Sequence, residues 1–123
     1  MKNKKVLLVA TVQSHIAQFH KPLIEMLKEN GSTVDVAARD NLKEKDGLEI
    51  GNVDKIFDIN FSRSPFNKNN IQAYKQLKKI IKENNYDIIH CNTPMGGILT
   101  RLAKKTTKIN SKIIYTAHRI TFL

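Results

Sequence analysis

The stretch that decides the fold is KVLLVA at residues 5–10, an apolar run in which apolar and polar side chains do not alternate. Such a run predicts a strand covered on both faces, because a strand with one solvated face would alternate. Apolar residues three and four positions apart then predict a helix over 15–30, with Ser14 as its N-cap and Gly31 as its C-cap. Pro22 predicts either a kink in this helix or a regular part that begins near Lys21.

Strands and helices alternate along the rest of the chain. We expect strands at TVDVAA (33–38), DKIFDINF (54–61), YDIIHC (86–91) and KIIYTA (112–117), and helices at 69–84 and 97–105. Residues 39–51 indicate a loop or a short helix. This order predicts the α/β class, with a doubly wound parallel sheet of about five strands and flanking helices. Ligands of such sheets bind beyond the carboxyl ends of the strands, at the switch point.

Composition and charge narrow the functional classes. At 123 residues, 41% of them hydrophobic, the chain fits a single folded domain. Its net charge of +10 is uneven: residues 1–61 are neutral, whereas 62–112 carry eleven basic and two acidic residues. The second half therefore either faces an anionic partner or is a well-solvated surface. The basic helix over 71–82 could lie on anionic lipid, or its lysines could simply be solvated.

The sequence lacks the motifs of several common nucleotide-binding and metal-binding sites. It holds neither GxGxxG nor a P-loop motif, and no HxxxH pair with a third carboxylate, so no metal site is supported. The single cysteine, Cys91, is interpreted as a buried core thiol. With no second thiol, no signal peptide and no apolar run of roughly 18 residues, a cytoplasmic location is expected.

Two groups of residues could carry chemistry at the carboxyl edge of the sheet. Thr93-Pro-Met-Gly-Gly97 opens a helix, where free amides favour an anion and small residues admit a ligand; the alternative is that the glycines only permit close packing. Three histidines, His15, His90 and His118, fall at or just past strand ends. His118 is the best placed of them, and a satisfied core histidine is the safer interpretation of His90.

Four segments in order resemble one family. They are VATVQSHI (9–16), SRSPF (62–66), YDIIHCNTPMGG (86–97) and IYTAH (114–118). Together they are similar to the N-terminal, acceptor-side domain of family 4 glycosyltransferases with the GT-B fold, in the group that makes capsular polysaccharide and exopolysaccharide. The resemblance implies a Rossmann-like domain of a hexosyltransferase that needs no metal or other cofactor. It also implies that the nucleotide sugar is held mostly by a second, C-terminal domain.

The resemblance also assigns residues. His118 matches a histidine that faces the donor sugar and is the implied catalytic residue. Acceptor binding is implied for Ser14, His15, Arg63, Ser64, Pro65, Asn92, Thr93, Met95, Gly96 and Gly97. The implied acceptor is a lipid-linked glycan, which favours peripheral contact with the anionic inner face of the membrane. Nucleic acid is not an expected partner, since no recognised binding module is present.

The chain departs from the family pattern at two places. Asn92 stands where the family usually has a second histidine, so only hydrogen bonding is expected there. After His118 the family continues with a glycine and aromatic residues, and then a donor domain, whereas here Arg119–Leu123 follow. Codons chosen for these five residues give Gly-Leu-His-Phe when read one base later, which favours a frameshift.

We therefore expect residues 1–123 to be a single acceptor-side domain that is inactive alone. The alternatives are a non-catalytic binding module, or one subunit of a split glycosyltransferase whose partner supplies the donor half.

Overall fold

A computed structural model of the chain describes residues 3–42, 49–62, 67–107 and 110–115, with the backbone alone at Phe19. Strands and helices alternate through these ranges. In chain order they are β1 (Lys5–Val12), α1 (Gln13–Phe19), α2 (Lys21–Glu29), β2 (Thr33–Arg39), β3 (Lys55–Asp58), α3 (Asn69–Asn84), β4 (Ile88–Cys91), α4 (Pro94–Thr107) and β5 (Lys112–Tyr115).

The strands form one sheet in the order β3-β2-β1-β4-β5, and every neighbouring pair is parallel. The chain builds outward from β1 on one side, then crosses back to place β4 on the other side of β1. This reversal puts the switch point between β1 and β4. The predicted fold class, a doubly wound parallel α/β sheet, is thereby confirmed.

The central strand is buried on both faces, which explains its unbroken apolar run. Val6, Leu8 and Ala10 pack into a cluster with α1 and α2, whereas Leu7 and Val9 pack into a second cluster with α3 and α4. Alternate side chains of a strand point to opposite faces, so one strand supplies both cores. The two layers of helices are therefore held together through β1.

One buried polar contact crosses the sheet beneath α3. The hydroxyl of Tyr86, just before β4, donates to Oδ2 of Asp35 on β2 at 2.5 Å, and both residues are buried. Burial, and then the hydrogen bond to this carboxylate, raise the pKa of the Tyr86 phenol. The phenol thus remains the donor that satisfies one oxygen of a buried acidic group.

The first predicted helix is two helices. α1 ends at Phe19 and α2 begins at Lys21, the position that Pro22 indicates, since proline is tolerated in the first turn of a helix. Ser14 is not the N-cap: Val12 takes that position, because α1 follows β1 without a loop. The C-cap of α2 is Asn30 rather than Gly31, and Gly31 follows it with φ of +80°, the left-handed conformation in which a glycine ends a helix.

Other boundaries shift by a few residues. β1 runs on to Val12 across a register shift between Val9 and Val12, and β2 takes in Arg39. β3 covers only Lys55–Asp58, and β4 begins at Ile88. α4 starts at Pro94 rather than at Gly97, because proline has no amide hydrogen to lose at the first helical position.

Parts of two predictions lie outside the described residues. These are the end of the last strand at 116–117 and residues 43–48 of the predicted loop. Within the described ranges, no helix is both long enough and apolar enough to cross a bilayer.

Candidate functional site

A cavity lies at the switch point, where the carboxyl ends of β1 and β4 meet. It has a volume of about 320 Å³ and is lined by residues of β1 and the segments that follow β1 and β4: Thr11, Val12, His15, Thr93, Pro94 and Met95. The sequence places these two groups about eighty positions apart, and the parallel pairing of β1 with β4 brings them together. The topology therefore builds this cavity where a doubly wound sheet binds its ligands.

Two threonines join the two sides of the cavity. The hydroxyls of Thr11 and Thr93 are 2.9 Å apart, and the amide of Gly96 donates to Thr93 Oγ1 at 3.4 Å. The hydroxyl of Thr93 thus links the start of α4 to the end of β1. The first turn of α4 contains no acidic residue, so the helix dipole favours an anionic or hydroxyl-rich ligand. Pro94 has no amide hydrogen, and the amides of Gly96 and Gly97 already donate to Thr93.

The two glycines of α4 are buried by close packing. A Cβ atom on Gly96 would lie 3.0 Å from Thr93 Oγ1 and 3.1 Å from Val9 Cγ1. A Cβ atom on Gly97 would lie 3.0 Å from Cδ1 of Tyr115. Neither glycine lines the cavity. The geometry thus supports the packing interpretation of both residues, with α4 held close to the sheet.

Asn92 is buried directly after β4 and precedes Thr93, which lines the cavity. Its backbone amide donates to the carbonyl of Val9 at 2.8 Å, and its side-chain Nδ2 lies 3.3 Å from the same carbonyl and 3.2 Å from that of His90. These bonds fix the side chain and leave Oδ1 as a buried acceptor that has no donor among the described residues. The residue therefore acts through hydrogen bonding, as its chemistry predicts.

Ser14 lies behind the cavity rather than in its wall. Its amide donates to Oδ1 of Asn41 at 2.9 Å, and Nδ2 of Asn41 donates to Ser14 Oγ at 2.8 Å. Both residues are buried, and the pair fixes the start of α1 to the segment after β2. The sequence does not predict this role of Asn41, because the residue falls in a segment with no clear periodicity.

Three histidines gather near this edge of the sheet. The ring centroids of His15 and His20 are 5.5 Å apart, and those of His20 and His90 are 6.0 Å apart. His90 is half-buried and His20 is buried in the break between α1 and α2. The sequence places His20 inside the first predicted helix, in which Pro22 predicts either a kink or a regular part that begins near Lys21. The approach of His20 to His90 depends on that break.

Cys91 is the buried core thiol that the sequence indicates. Burial raises the pKa of this thiol, while the Thr100 hydroxyl and the charge of Arg101 oppose that rise to a smaller extent. A protonated, buried thiol is not a nucleophile. The residue therefore belongs to the packing of α4 on β4.

Four of the residues assigned by resemblance, Arg63, Ser64, Pro65 and His118, lie outside the described residues. Of the others, His15, Thr93 and Met95 line the cavity. Across the ranges that the structure covers, no group of three His, Cys, Asp or Glu side chains could hold a metal ion.

Comparison with known proteins decides the family. Residues 5–122 match the model of the family described as Glycosyl transferase 4-like. The chain belongs to that family. The match covers almost the whole chain and confirms the family that the four sequence motifs indicate.

One curated relative extends the comparison of sequences. The chain is 42% identical over 120 residues to the Bacillus subtilis (strain 168) protein named "Putative glycosyltransferase EpsD". This alignment covers 97% of the chain and 30% of EpsD. The chain thus spans about a third of the length of this relative.

Solved structures show the same fold at lower identity. A glycosyltransferase from Rickettsia africae ESF-5 is 24% identical with a TM-score of 0.60, over 98% of this chain and 31% of that one. A UDP-N-acetylglucosamine 2-epimerase is 20% identical with a TM-score of 0.64, over 94% of this chain and 32% of that one. Both likenesses concern about a third of a larger protein, and they support the α/β half-domain architecture.

Proposed function

We propose that this glycosyl transferase 4-like chain is the acceptor-binding half of a hexosyltransferase. The reaction would move a sugar from a nucleotide-sugar donor to a lipid-linked glycan in the synthesis of capsular polysaccharide or exopolysaccharide. The observation that carries the proposal is the family match over residues 5–122. The cavity at the switch point between β1 and β4 supports it, because that is the position at which such sheets bind ligands.

The residues around the cavity suit a ligand rich in hydroxyl and phosphate oxygens. Thr93 supplies a half-buried hydroxyl, and His15 supplies a ring that can donate or accept. The positive end of the α4 dipole favours a diphosphate. Met95 offers an apolar wall, while Asn92, Gly96 and Gly97 set the position of α4. We assign acceptor contacts also to Arg63–Pro65, and a donor-facing role to His118, on the family resemblance alone. Ser14, which the resemblance also implies, is buried and bonded to Asn41, so we assign it the positioning of α1 instead.

The proposed mechanism divides the work between two domains. The acceptor-side residues position the attacking hydroxyl, which lowers the entropic barrier to sugar transfer. Stabilisation of the leaving diphosphate is assigned by the resemblance to helix dipoles and basic residues of a donor-binding domain outside these 123 residues, without a metal. The chain alone is therefore expected to bind acceptor and to transfer no sugar.

The proposal is tested by titrating the isotope-labelled chain with a short-chain prenyl-diphosphate monosaccharide and following backbone amide signals by NMR. We expect the largest shifts at Thr11, Thr93 and Met95, and far smaller shifts when a nucleotide sugar is added. Thr93→Val should weaken binding about fivefold, since one hydroxyl hydrogen bond contributes about 1 kcal/mol. Incubating the chain with both substrates should yield no glycosylated product.

Thr106→Val is the matched control, because Thr106 is an exposed threonine near the far end of the same helix. It should leave the affinity unchanged. Shifts distributed away from the cavity, or equal losses in the two variants, would contradict the assignment of the acceptor site. Sugar transfer by the chain alone would contradict the division of work between two domains.

A further inference from the structure

The first turn of α1 has no cap from its own sequence. α1 follows β1 without a loop, and its N-cap position is held by Val12, whose side chain can accept no hydrogen bond. The helix has only seven residues, and no acidic side chain lies in its first turn. The amides at the start of this short helix therefore need an acceptor from elsewhere in the chain.

Asn41, in the segment after β2, supplies that acceptor. Its Oδ1 accepts from the amide of Ser14, the second helical residue, at 2.9 Å, and its Nδ2 donates to Ser14 Oγ at 2.8 Å. The second helical amide is one that a capping side chain ordinarily satisfies. Both residues are buried, so the two bonds are shielded from water. Asn41 thus caps α1 from a position 27 residues further along the chain.

The segment that carries Asn41 is itself held in place. The amide of Asp40 donates to Oδ1 of Asp58 on β3 at 2.9 Å, and the amide of Leu42 donates to Oδ1 of Asp40 at 3.1 Å. The side chain of Leu42 also packs against the core cluster that includes α1 and α2. The capping side chain therefore projects from a backbone that is hydrogen-bonded on both sides of it.

The residues held in this way lie between residues that line the cavity. Val12 and His15 line the cavity, whereas Gln13 and Ser14, which lie between them in sequence, are bonded to the end of β2 and the segment after it. Nε2 of Gln13 donates to the carbonyl of Ala38 at 3.2 Å, and both residues are buried. The strand-to-helix turn is thus hydrogen-bonded on one side and forms the cavity wall on the other.

We propose that Asn41 is a positioning residue of the candidate acceptor site, which holds His15 in the cavity wall by capping the first turn of α1. The rest of α1 does not depend on this cap, because Ile16 and Ala17 are buried in a core cluster and the amide of His20 donates to the carbonyl of Ile16. Loss of the cap should therefore loosen the turn that carries His15 and leave the fold intact. The effect on acceptor binding rests on the proposed function, whereas the hold on His15 is a property of the free chain.

The first test needs no acceptor. In the isotope-labelled chain, the amide of Ser14 should exchange its hydrogen about tenfold faster in Asn41→Ala than in the unaltered chain, because its acceptor is lost. The imidazole signals of His15 should shift or broaden in the same variant. Asn41→Asp should keep both readouts near those of the unaltered chain, since aspartate accepts from the same amide and caps a helix as well as asparagine does. Asn41→Leu removes the same two bonds but fills the space, and it takes the place of Asn41→Ala if the alanine variant does not fold.

The second test adds the short-chain prenyl-diphosphate monosaccharide. Asn41→Ala should weaken its binding about fivefold, whereas Asn41→Asp should bind it within about twofold of the unaltered chain. Asn84→Ala is the matched control, because Asn84 also bonds to the backbone at a helix end, with Nδ2 donating to the carbonyl of Ile80 at 2.9 Å. Asn84 lies where the chain enters β4, at the edge of the sheet opposite the cavity. The control should leave the affinity unchanged.

The two tests distinguish failure of this inference from failure of the proposed function. Unchanged exchange at Ser14, unchanged signals of His15, or equal losses of affinity in Asn41→Ala and Asn84→Ala would overturn the role of Asn41. So would an Asn41→Asp variant that behaves like Asn41→Ala. If the unaltered chain binds no acceptor, the proposed function fails, and the exchange and imidazole measurements still decide whether Asn41 holds His15.

Discussion

The two neighbouring glycines of α4 meet different surroundings. A side chain on Gly96 would press on Val9, which is fully buried in the central strand, and on Thr93, whose hydroxyl is already bonded to Thr11. A side chain on Gly97 would meet the ring of Tyr115, which is 36% exposed at the end of β5. Of these neighbours, only the Tyr115 ring has open space into which it can move.

We expect Gly96→Ala to destabilise the fold by about 1–2 kcal/mol, because the added methyl group must displace a packed strand residue. Gly97→Ala should change stability by less than about 0.5 kcal/mol, since the higher helix propensity of alanine offsets a small movement of Tyr115. Chemical denaturation of both variants measures the difference. A larger loss from Gly97→Ala than from Gly96→Ala would contradict this account of the packing.

At the scale of elements, the carboxylate of Asp54 links α2 to the segment that precedes β3. Oδ2 of Asp54 accepts from Lys28 Nζ at 2.7 Å and from the amide of Val34 at 2.8 Å. These hydrogen bonds, with that from Lys28 the larger cause, lower the pKa of Asp54 below its ordinary value. Because the folded-state pKa is the lower one, the stabilisation is present above the ordinary carboxyl pKa and is lost as pH falls through the folded-state value.

A double-mutant cycle with Asp54→Asn and Lys28→Gln should therefore give a pH-dependent coupling. We expect about 0.5 kcal/mol at pH 7, a small value because both side chains are partly exposed and solvent screens the pair. The coupling should decrease as the pH falls through the folded-state pKa of Asp54, because the carboxylate is then protonated. Unfolding measured by denaturant from pH 7 into the acid range tests this expectation, and a coupling that does not change with pH would contradict it.

Elements with strong periodicity were predictable from the sequence, and their junctions were not. α3 begins at Asn69 and ends at Asn84 as predicted, since Leu77, Ile80 and Ile81 mark its buried face and Asn85 adopts a left-handed conformation. Ile71, which has the same apolar spacing, is exposed. The break at His20 leaves no trace in the apolar spacing, which continues from α1 into α2, and it is Pro22 that indicates it. The backbone amide of His20 still donates to the carbonyl of Ile16, so the break leaves little trace in local chemistry.

In the candidate site, too, the sequence predicted the topology but not the contacts between side chains. The alternation of strands and helices predicted which edge would bind a ligand, and the cavity lies there. The contact between Thr11 and Thr93 was not predictable, because it depends on the register of two strands that are distant in sequence. Local patterns do not determine that register.

Across the whole molecule, stability should fall from the centre of the sheet to its edges. β1 is paired on both sides and covered on both faces, whereas β3 and β5 are each paired on one side only among the described strands. Opening an edge strand exposes one ladder of hydrogen bonds and little core. Opening β1 requires that both cores separate.

Native-state hydrogen exchange should reveal this gradient directly. Amides of Leu7 and Leu8 should exchange only through global unfolding, while those of Phe57 on β3 and Ile114 on β5 should exchange through smaller openings. The measure is the dependence of each exchange rate on low concentrations of denaturant, which is steep for global and shallow for local opening. A steep dependence in β3 or β5 would show that the sheet opens as one unit.

The pairing of β1 with both β2 and β4 has a consequence during synthesis on the ribosome. β2 emerges soon after β1, so the cluster with α1 and α2 can begin to form on one face of the nascent chain. The other face, with Leu7 and Val9, stays uncovered until α3, β4 and α4 have been made, more than fifty residues later. Until then, the apolar side chains on that face of the nascent chain are exposed to solvent. A chaperone would bind the chain at this exposed apolar face.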